Sequence, residues 1–423
     1  MNDLGIAVRR LLGERCISLH ELSRRSHWDT GYLSKVINGR KSGSYALVRD
    51  LDNVLDADGE LLRLWTGMQG FSVVGTISAT ADSDLAGTVV SAPPDLSAVV
   101  EILACWDDVR EPAGPAILAA DQIGLYEIEH LEKTARLFRA WDHEHGGGLG
   151  RKAVIGQLSE IGGILGRPHP APLRRRLLSI ASQLALVIAH MSADVGDDAT
   201  ACRYLGLALD AAKEARDATL GARAANAIAR RFLDDGDHAA ALNLLRNARQ
   251  SLQGLPSEMT AMLYTAEAWT CATIGDYEQM APCLDQAAGL AGEPGALFGA
   301  AELAGISGAC FEALAARASA PRRAAHAARA ERDITVALGL REPFYVRSRV
   351  LDLAGLANVR LIQGDPYEAI RTAGDAVESA ASIRSGRAAR RMHALAIRAL
   401  EQFPQVSQVT EFADMVRSRL PVA

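Results

Sequence analysis

The sequence has few aromatic residues, few cysteines and no long apolar run. Aromatic residues make up 5% of the 423 residues, and the six cysteines contain no Cys-x-x-Cys pair. This spacing signals neither a zinc knuckle nor a disulfide framework, so we expect reduced, packed thiols. The longest apolar runs, such as 184–189, are far shorter than the roughly 20 residues that cross a bilayer. With no apolar signal core near the N-terminus, the sequence predicts a soluble, cytoplasmic protein.

Catalytic motifs are also scarce. We find no convincing pair of catalytic carboxylates, no Ser-His-Asp order and no nucleotide-binding loop in a suitable sequence context. We therefore predict no enzymatic activity and no cofactor. The segment 143–148 (HEHGGG) invites comparison with a metal site or a phosphate loop. However, no further ligand has companion spacing, and Gly150 precedes Arg-Lys-Ala rather than the Gly-Lys-Ser/Thr of a phosphate loop. We therefore interpret the segment as a helix-ending loop and predict no metal.

The residues that are abundant favour helices. Hydrophobic residues account for 49% of the chain and charged residues for 23%, a composition that excludes a disordered chain. The many small side chains suit helices that pack closely. We predict an all-α protein with a helix-turn-helix domain at 1–66, a flexible linker at 67–95, a helical junction at 96–170 and an α-solenoid at 171–423.

Positive charge is concentrated near the N-terminus. The net charge of the chain is −6, yet the segment 9–49 holds nine basic residues against three acidic ones. The remainder is therefore about −12. A small cationic head on a larger acidic body is the distribution expected when only the head meets phosphate.

The head shows the spacing of five short helices. Apolar residues at 4, 8, 11 and 12 predict a first helix, and Ser18 with Glu21 forms a capping-box pattern that begins a second. Asp29 is a suitable cap for a third helix over 30–37, which Asn38 and Gly39 end. A fourth helix near 45–55 and a fifth near 61–65 complete the domain. Two short helices joined by a tight turn form a helix-turn-helix arrangement.

Over about 60 residues the head resembles the XRE family of DNA-binding domains, which is lambda repressor and Cro-like. The string 33–40 (LSKVINGR) is the most specific part of this resemblance. The resemblance implies that the third helix enters the major groove of double-stranded DNA. The implied base-contacting residues are Thr30, Gly31, Tyr32, Ser34 and Lys35. The implied phosphate-contacting residues are Ser18, Arg24, Arg25, Asn38, Arg40 and Lys41.

The region after the head changes character twice. Segment 66–95 is rich in Gly, Ser, Thr and Ala and contains Pro93-Pro94, which is typical of a flexible connector. Helical spacing returns from 96 to 138. In actinobacterial relatives of this helix-turn-helix type, a helix rich in acids and aromatics followed by a Gly triplet joins the head to a C-terminal array. Segment 137–148 resembles that junction.

A Gly-Asp pair recurs in the C-terminal half. It occurs at 196, 236, 275 and 364, with separations of 40, 39 and 89, and 319–321 lies near the middle of the longest gap as a degenerate member. This spacing indicates about five repeat units, each with two helices that pack through Ala. Residues 388–420 would form a pair of helices that caps the C-terminal end of the array. This plan resembles tetratricopeptide repeats, stretched beyond the usual period of that family. The peptide-responsive regulators of Gram-positive bacteria show similar stretching.

In such arrays the first helix of each pair lines a concave face. Polar and aromatic groups there are suited to an extended peptide, although a solvated groove or a dimer surface explains them equally well. A single histidine such as His190 is better explained as an incidental residue of the groove than as a ligand-binding residue. The groove candidates are Gln183, His190, Arg223, Asn226, Arg230, Tyr264, Trp269, Arg349 and Asn358.

Together these features predict a nucleoid-associated transcriptional regulator. The head would bind an operator, and the repeats would sense a peptide or small molecule, mediate homodimerisation, or both. The alternative is a protein-interaction adaptor whose head is a packing module that does not bind DNA. Strong, salt-dependent binding to genomic fragments that share a motif separates the two, because the adaptor should show none.

Overall fold

A computed structural model describes residues 3–15, 17–26, 28–38, 45–57, 60–61, 123–147, 150–292, 298–383 and 385–420. Within these ranges the chain forms eighteen α-helices and no strand, which confirms the all-α prediction. The predicted linker 67–95, the junction up to 122, and the phosphate candidates Arg40 and Lys41 lie outside the described residues. The chain divides into two compact units, residues 1–76 and 77–423.

The N-terminal unit contains the short helices that the sequence predicts. They are α1 (Asp3–Glu14), α2 (Leu19–Ser26), α3 (Thr30–Ile37) and α4 (Tyr45–Val54). Leu22, Leu33, Val36 and Ile37 are buried in one apolar core with residues of α1 and α4. Of the predicted fifth helix, the structure describes only Glu60 and Leu61, which are helical.

The C-terminal unit begins with α5 and α6 and continues as six helical hairpins. The bounds are α5 Leu125–His145, α6 Arg151–Leu165, α7 Ala171–Asp194, α8 Asp198–Ala215, α9 Ala218–Asp234, α10 His238–Ser251, α11 Ser257–Ile274, α12 Tyr277–Ala288, α13 Ala300–Arg317, α14 Ala320–Leu340, α15 Val346–Gln363, α16 Pro366–Ser382, α17 Gly386–Gln402 and α18 Ser407–Arg419. The last pair corresponds to the predicted capping helices.

The Gly-Asp pairs lie at the turns within hairpins, as the sequence predicts. The four glycines have φ between 80° and 88°, the left-handed region that glycine enters without strain. Each following aspartate caps the next helix by accepting a hydrogen bond from the N–H three residues later. The turn at Ser319, by contrast, has no side-chain cap hydrogen bond, in keeping with its degenerate sequence.

The first helices of successive hairpins pack side by side. Helices α7, α9, α11, α13, α15 and α17 each contact the next member of this series, and α17 also contacts α7. The array therefore closes on its own first hairpin. By length and composition alone, helix α7 could cross a membrane. The sequence alone does not indicate this, because the longest uninterrupted apolar run in the helix is only 184–189. However, 83% of its most apolar window is buried within the unit, as in the core helix of a helical array.

A buried polar network joins the two ends of the array. Asp194, at the end of α7, is 0% exposed and accepts hydrogen bonds from Ser385 Oγ (2.7 Å) and the backbone N–H groups of Gly147 (3.1 Å) and Arg387 (3.2 Å). Its carboxylate also lies 3.7 Å from Arg347 of α15. These contacts join distant segments of the chain, since Ser385 follows Asp194 by 191 residues. We name Asp142, Gly147, Asp194, Arg347 and Ser385 the closure network.

Asp142 is the second carboxylate of the closure network and belongs to α5. It receives two hydrogen bonds from the Arg347 guanidinium, at 2.9 and 3.2 Å. Burial alone would raise the pKa of Asp142, but Arg347 holds it below its usual value. Helix α5 packs against α7 and α15, the first helices of the first and fifth hairpins. The chain's own helix therefore covers part of the surface that the sequence predicts as an open groove.

Candidate nucleic-acid interface and ligand groove

The helix-turn-helix is fixed by local caps and by one aromatic anchor. Asp29 caps α3 by accepting a hydrogen bond from Tyr32 N at 2.8 Å, as predicted. In the turn before α3, the Trp28 carbonyl accepts a hydrogen bond from Ser23 Oγ (2.6 Å), and Trp28 Nε1 donates to Asp50 of α4 (3.0 Å). Because the carboxylate of Asp29 is occupied as a cap, it directs its charge into the helix N-terminus.

The capping box of α2 forms only in part. Ser18 Oγ accepts a hydrogen bond from Glu21 N at 3.2 Å, so this phosphate candidate serves as a helix cap in the free protein. The Glu21 carboxylate instead accepts hydrogen bonds from Arg24 and Arg25. Those two hydrogen bonds lower the pKa of Glu21 to about 2. The two arginines remain exposed, with their charges partly compensated within the helix.

Helix α3 presents one face to solvent. Leu33, Val36 and Ile37 are buried in the core, whereas Gly31 and Lys35 are exposed and Ser34 is half-buried. Since residues three and four apart share a helix face, Gly31, Ser34 and Lys35 lie together. Lys35 has no hydrogen bond or ion pair with any residue that the structure describes, so its ammonium is available to a partner.

The other base candidates have internal contacts. The Thr30 hydroxyl donates a hydrogen bond to Ser23 Oγ at 2.9 Å, which links α3 to α2. The Tyr32 ring stacks on Trp28 with a centroid distance of 5.7 Å. At Gly31 a Cβ atom would lie 3.1 Å from the capping oxygen of Asp29, so a small residue suits this position. The base-contacting roles of all five candidates remain predictions.

Arg9 is a cation near this surface that sequence reasoning did not single out. Its guanidinium donates a hydrogen bond to the Asn38 side chain at 3.0 Å, while Asn38 donates to the Ser34 carbonyl at 2.8 Å. Arg9 thus holds a predicted phosphate contact in place at the end of α3, where the helix dipole favours a cation. Because Asn38 follows Arg9 by 29 residues, no local pattern could have indicated the contact.

Two of the basic residues counted in the head each have an acidic partner beyond the segment 9–49. Arg10 pairs with Glu14 and with Glu60, the latter at 2.5 Å, and Arg15 lies 3.6 Å from Asp56. The count of nine against three therefore overstates the free positive charge. The cations that the structure leaves closest to the α2 and α3 surfaces are Arg9, Arg24, Arg25 and Lys35.

Replacing Glu21 with glutamine is expected to strengthen binding to duplex DNA of any sequence. The change releases Arg24 and Arg25 from their carboxylate, so phosphates no longer compete with it. We expect the slope of log affinity against log salt concentration to steepen by about one for each added phosphate contact. Fluorescence anisotropy across a salt series measures the slope. An unchanged slope would show that these arginines lie away from the DNA.

Three groove candidates are engaged in contacts between helices. The Arg249 guanidinium lies 4.3 Å from the Tyr264 ring centroid, and Arg349 donates to the Leu338 carbonyl at 3.0 Å. Asn358 is 2% exposed and donates to Glu312 at 2.6 Å. In this conformation these three side chains stabilise the array rather than line an open groove.

The six remaining groove candidates line pockets or lie near the closure network. Gln183 lines a cavity of about 500 Å³ between α5 and α7, and Asn226, Arg230 and Trp269 line a second of about 160 Å³. His190 lies near Arg223 and the closure network, and burial lowers its pKa to about 3. It is therefore neutral at physiological pH.

Residues 143–147 end α5 against the array, and Gly148 lies outside the described residues. His143 packs edge-on against Tyr345 with a centroid distance of 5.6 Å, and burial lowers its pKa to about 4. His145 instead contacts Trp141. Within the described ranges, no group of three or more His, Cys, Asp or Glu residues is placed to hold a metal ion. Gly146 adopts a φ of 73° at the end of the helix.

Comparison with known proteins identifies the head. No curated protein and no solved structure matches this chain. A protein-family model described as a helix-turn-helix domain matches residues 3–65, the segment that contains α1 to α4. The chain therefore carries an N-terminal helix-turn-helix DNA-binding domain.

Proposed function

We propose that this protein is a sequence-specific, DNA-binding transcriptional regulator without catalytic activity. In this proposal its helical hairpins form a tetratricopeptide-like array that senses a signal, assembles a homodimer, or both. The protein acts in the cytoplasm, on the nucleoid. The observation that carries the proposal is the capped helix α3, which presents Gly31, Ser34 and Lys35 on one exposed face within the matched domain.

The proposed mechanism uses two heads on one operator. Helix-turn-helix dimers place two recognition helices in successive major grooves, about one helical turn apart, and read a pseudo-palindromic site. A signal that binds the array would change the separation of the two heads. It can do so only through unequal affinity for two arrangements of the dimer.

Replacing Lys35 with alanine tests the base-reading surface. A good base contact contributes about 1–3 kcal/mol of discrimination, so we expect the variant to lose about that much affinity for the operator and little for unrelated duplexes. Lys35 suits this test better than Thr30, because truncating Thr30 also removes its hydrogen bond to Ser23. Selection of genomic fragments by the purified chain identifies the operator, and anisotropy titration then gives each affinity.

Arg25→Ala is the comparison variant, because the resemblance assigns Arg25 to phosphate. We expect it to weaken binding to all duplexes alike and to reduce the salt slope by up to about one, since Glu21 competes with phosphate for this cation. Equal losses on every sequence for Lys35→Ala would contradict the base-reading assignment. If the wild-type chain enriches no motif and shows no salt-dependent binding, the adaptor hypothesis is favoured instead.

A genome-wide footprint with and without cell extract tests signalling. An array that senses a cellular signal should shift site occupancy when extract is added. Occupancy that extract leaves unchanged would favour an array that serves dimerisation alone.

A further inference from the structure

Five arginines converge where α5 meets the first helices of the array. Arg223 and Arg230 are seven residues apart on α9 and therefore share a helix face. Burial lowers the pKa of Arg223, and repulsion from Arg139 of α5 adds to this effect. Arg387 of α17 is similarly affected by Arg347 and Arg230. We name Arg139, Arg223, Arg230, Arg347 and Arg387 the arginine cluster. It brings together side chains from α5, α9, α15 and α17.

The carboxylates nearby do not balance this charge. Asp142 is bound to Arg347, and Asp194 is occupied by Ser385 and two backbone N–H groups. The side chains of Arg139, Arg223, Arg230 and Arg387 have no hydrogen bond or ion pair within the described part of the chain. Glu302 acts on Arg139 and Asp217 acts on Arg223, but Glu302 is bound to Arg341 and Asp217 caps α9. Five guanidinium groups thus share four carboxylates, all of them already hydrogen-bonded, in a region where unpaired charge is costly. Folding alone gives no reason to collect them there.

The arginines differ in exposure: Arg347 is buried, Arg230 is exposed, and the other three are half-buried. Burial lowers the pKa of Arg223 to about 9 and of Arg387 to about 10, which shows that neighbouring atoms displace much of their water. Arg230 has its pKa lowered by burial too, although much of its surface stays exposed. An exposed or half-buried guanidinium without a hydrogen-bond partner can be reached by an anion from solvent.

A defined cavity adjoins the cluster at Arg230. It measures about 160 Å³, and its wall carries one carboxylate, Glu302, which is bound to Arg341. Asn226 also lines it, and its Oδ1 is buried without a hydrogen-bond partner in the described ranges. Buried polar groups are almost always satisfied, so this unsatisfied amide indicates a missing partner. Exchanging the oxygen and nitrogen of the amide would direct its N–H donors to the same place.

We propose that the arginine cluster binds a small, multiply charged oxyanion of the polyphosphate or polycarboxylate kind. Guanidinium groups match such ligands because their planar N–H donors engage two oxygens at once. The bound anion would neutralise the cluster and join α5 to α9 and α17. That the anion is the signal of the array rests on the proposed function, whereas binding itself does not.

The test measures thermal unfolding of the full chain by circular dichroism. Inorganic tripolyphosphate and citrate are added separately in about 150 mM sodium chloride, with extra chloride at matched ionic strength as reference. The protein carries Arg24→Gln and Arg25→Gln, so that the head competes less for anions. We expect one or both anions to raise the unfolding temperature in a saturable manner. The more effective anion distinguishes phosphate from carboxylate chemistry.

The decisive variant combines Arg223→Gln and Arg230→Gln. Because a charge-assisted hydrogen bond is a strong contact, we expect roughly a tenfold or greater loss of anion affinity. Without anion this variant should be at least as stable as its parent, because it lacks two unpaired charges that lie among like charges, one of them on the half-buried Arg223. A purely structural role would make it less stable. The matched control is Arg417→Gln, which removes one exposed arginine paired with Asp414 and should respond to anions as the parent does.

Three outcomes would overturn the inference. They are no stabilisation by either anion, equal stabilisation of the Arg223→Gln/Arg230→Gln variant and its parent, and a less stable variant in the absence of anion. DNA binding is measured separately on the chain with an unaltered head. A chain that binds tripolyphosphate but selects no DNA motif would refute the proposed function and leave this inference standing. A chain that selects a DNA motif but binds neither anion would refute this inference and leave the proposed function standing.

Discussion

Replacing Asp194 with alanine is expected to lower the free energy of unfolding of the C-terminal unit by about 3–5 kcal/mol. The change removes the acceptor for Ser385 and for two backbone N–H groups; two of these three hydrogen bonds are buried and the third is partly buried. It also removes one of the two carboxylates that face the buried Arg347. Donors left unsatisfied away from water cost much more than an ordinary hydrogen bond contributes. Urea unfolding followed by circular dichroism at 222 nm measures the difference.

Asp198→Ala is the matched control for this prediction. Asp198 lies four residues further along the chain and pairs with Arg231, but its side chain is 65% exposed. An exposed ion pair contributes little, so the control should lose less than about 1 kcal/mol. If the two alanine variants unfold at the same urea concentration, the closure network does not hold the ends of the array together.

Gly147→Ala is expected to destabilise the same unit by about 1–3 kcal/mol or more. A Cβ atom at Gly147 would lie 2.2 Å from the carbonyl oxygen of Met191 and 2.7 Å from its Cα atom. These are backbone atoms of α7 and cannot rotate away, so the turn after α5 must shift. The shift would also lengthen the hydrogen bond from Gly147 N to Asp194.

Gly156→Ala makes the same chemical change with the opposite expected sign. Gly156 lies inside α6, and its Cβ position has no neighbour within 4 Å. Alanine in a helix interior is favoured over glycine by about 0.5–1 kcal/mol, so this variant should be more stable than wild type. Thermal and urea unfolding of both variants give the comparison. A stabilised Gly147→Ala variant would contradict the close approach to α7.

Local signals in the sequence were sufficient for the helices and their ends. Asp29 was predicted to cap α3 and does so, because a cap involves only the chain within three residues. The Gly-Asp pairs were likewise predicted to be turns, because a left-handed glycine and a capping aspartate depend on adjacent residues alone. The same local logic failed where a partner lies far away, as with Arg10, whose charge Glu60 neutralises.

The predicted groove shows what local signals could not supply. The helical spacing of Tyr264, Arg349 and Asn358 placed them on first helices, but their contacts come from Arg249, Leu338 and Glu312. Nothing near Asp142 in the sequence indicates Arg347, which lies 205 residues away. The return of α17 to α7 depends on small rotations accumulated over six hairpins, and no single unit encodes it.

The sequence by itself therefore determined the helical class, the turns of the hairpins and the helix-turn-helix head, since each follows from contacts within a few residues. Only the tertiary structure decided that the array closes through Asp194, that α5 covers part of its inner surface and that five arginines meet there. The physical reason is that burial and charge pairing depend on which distant segments come together. Helical spacing alone specifies the exposed or buried face of each helix, not the partner it packs against.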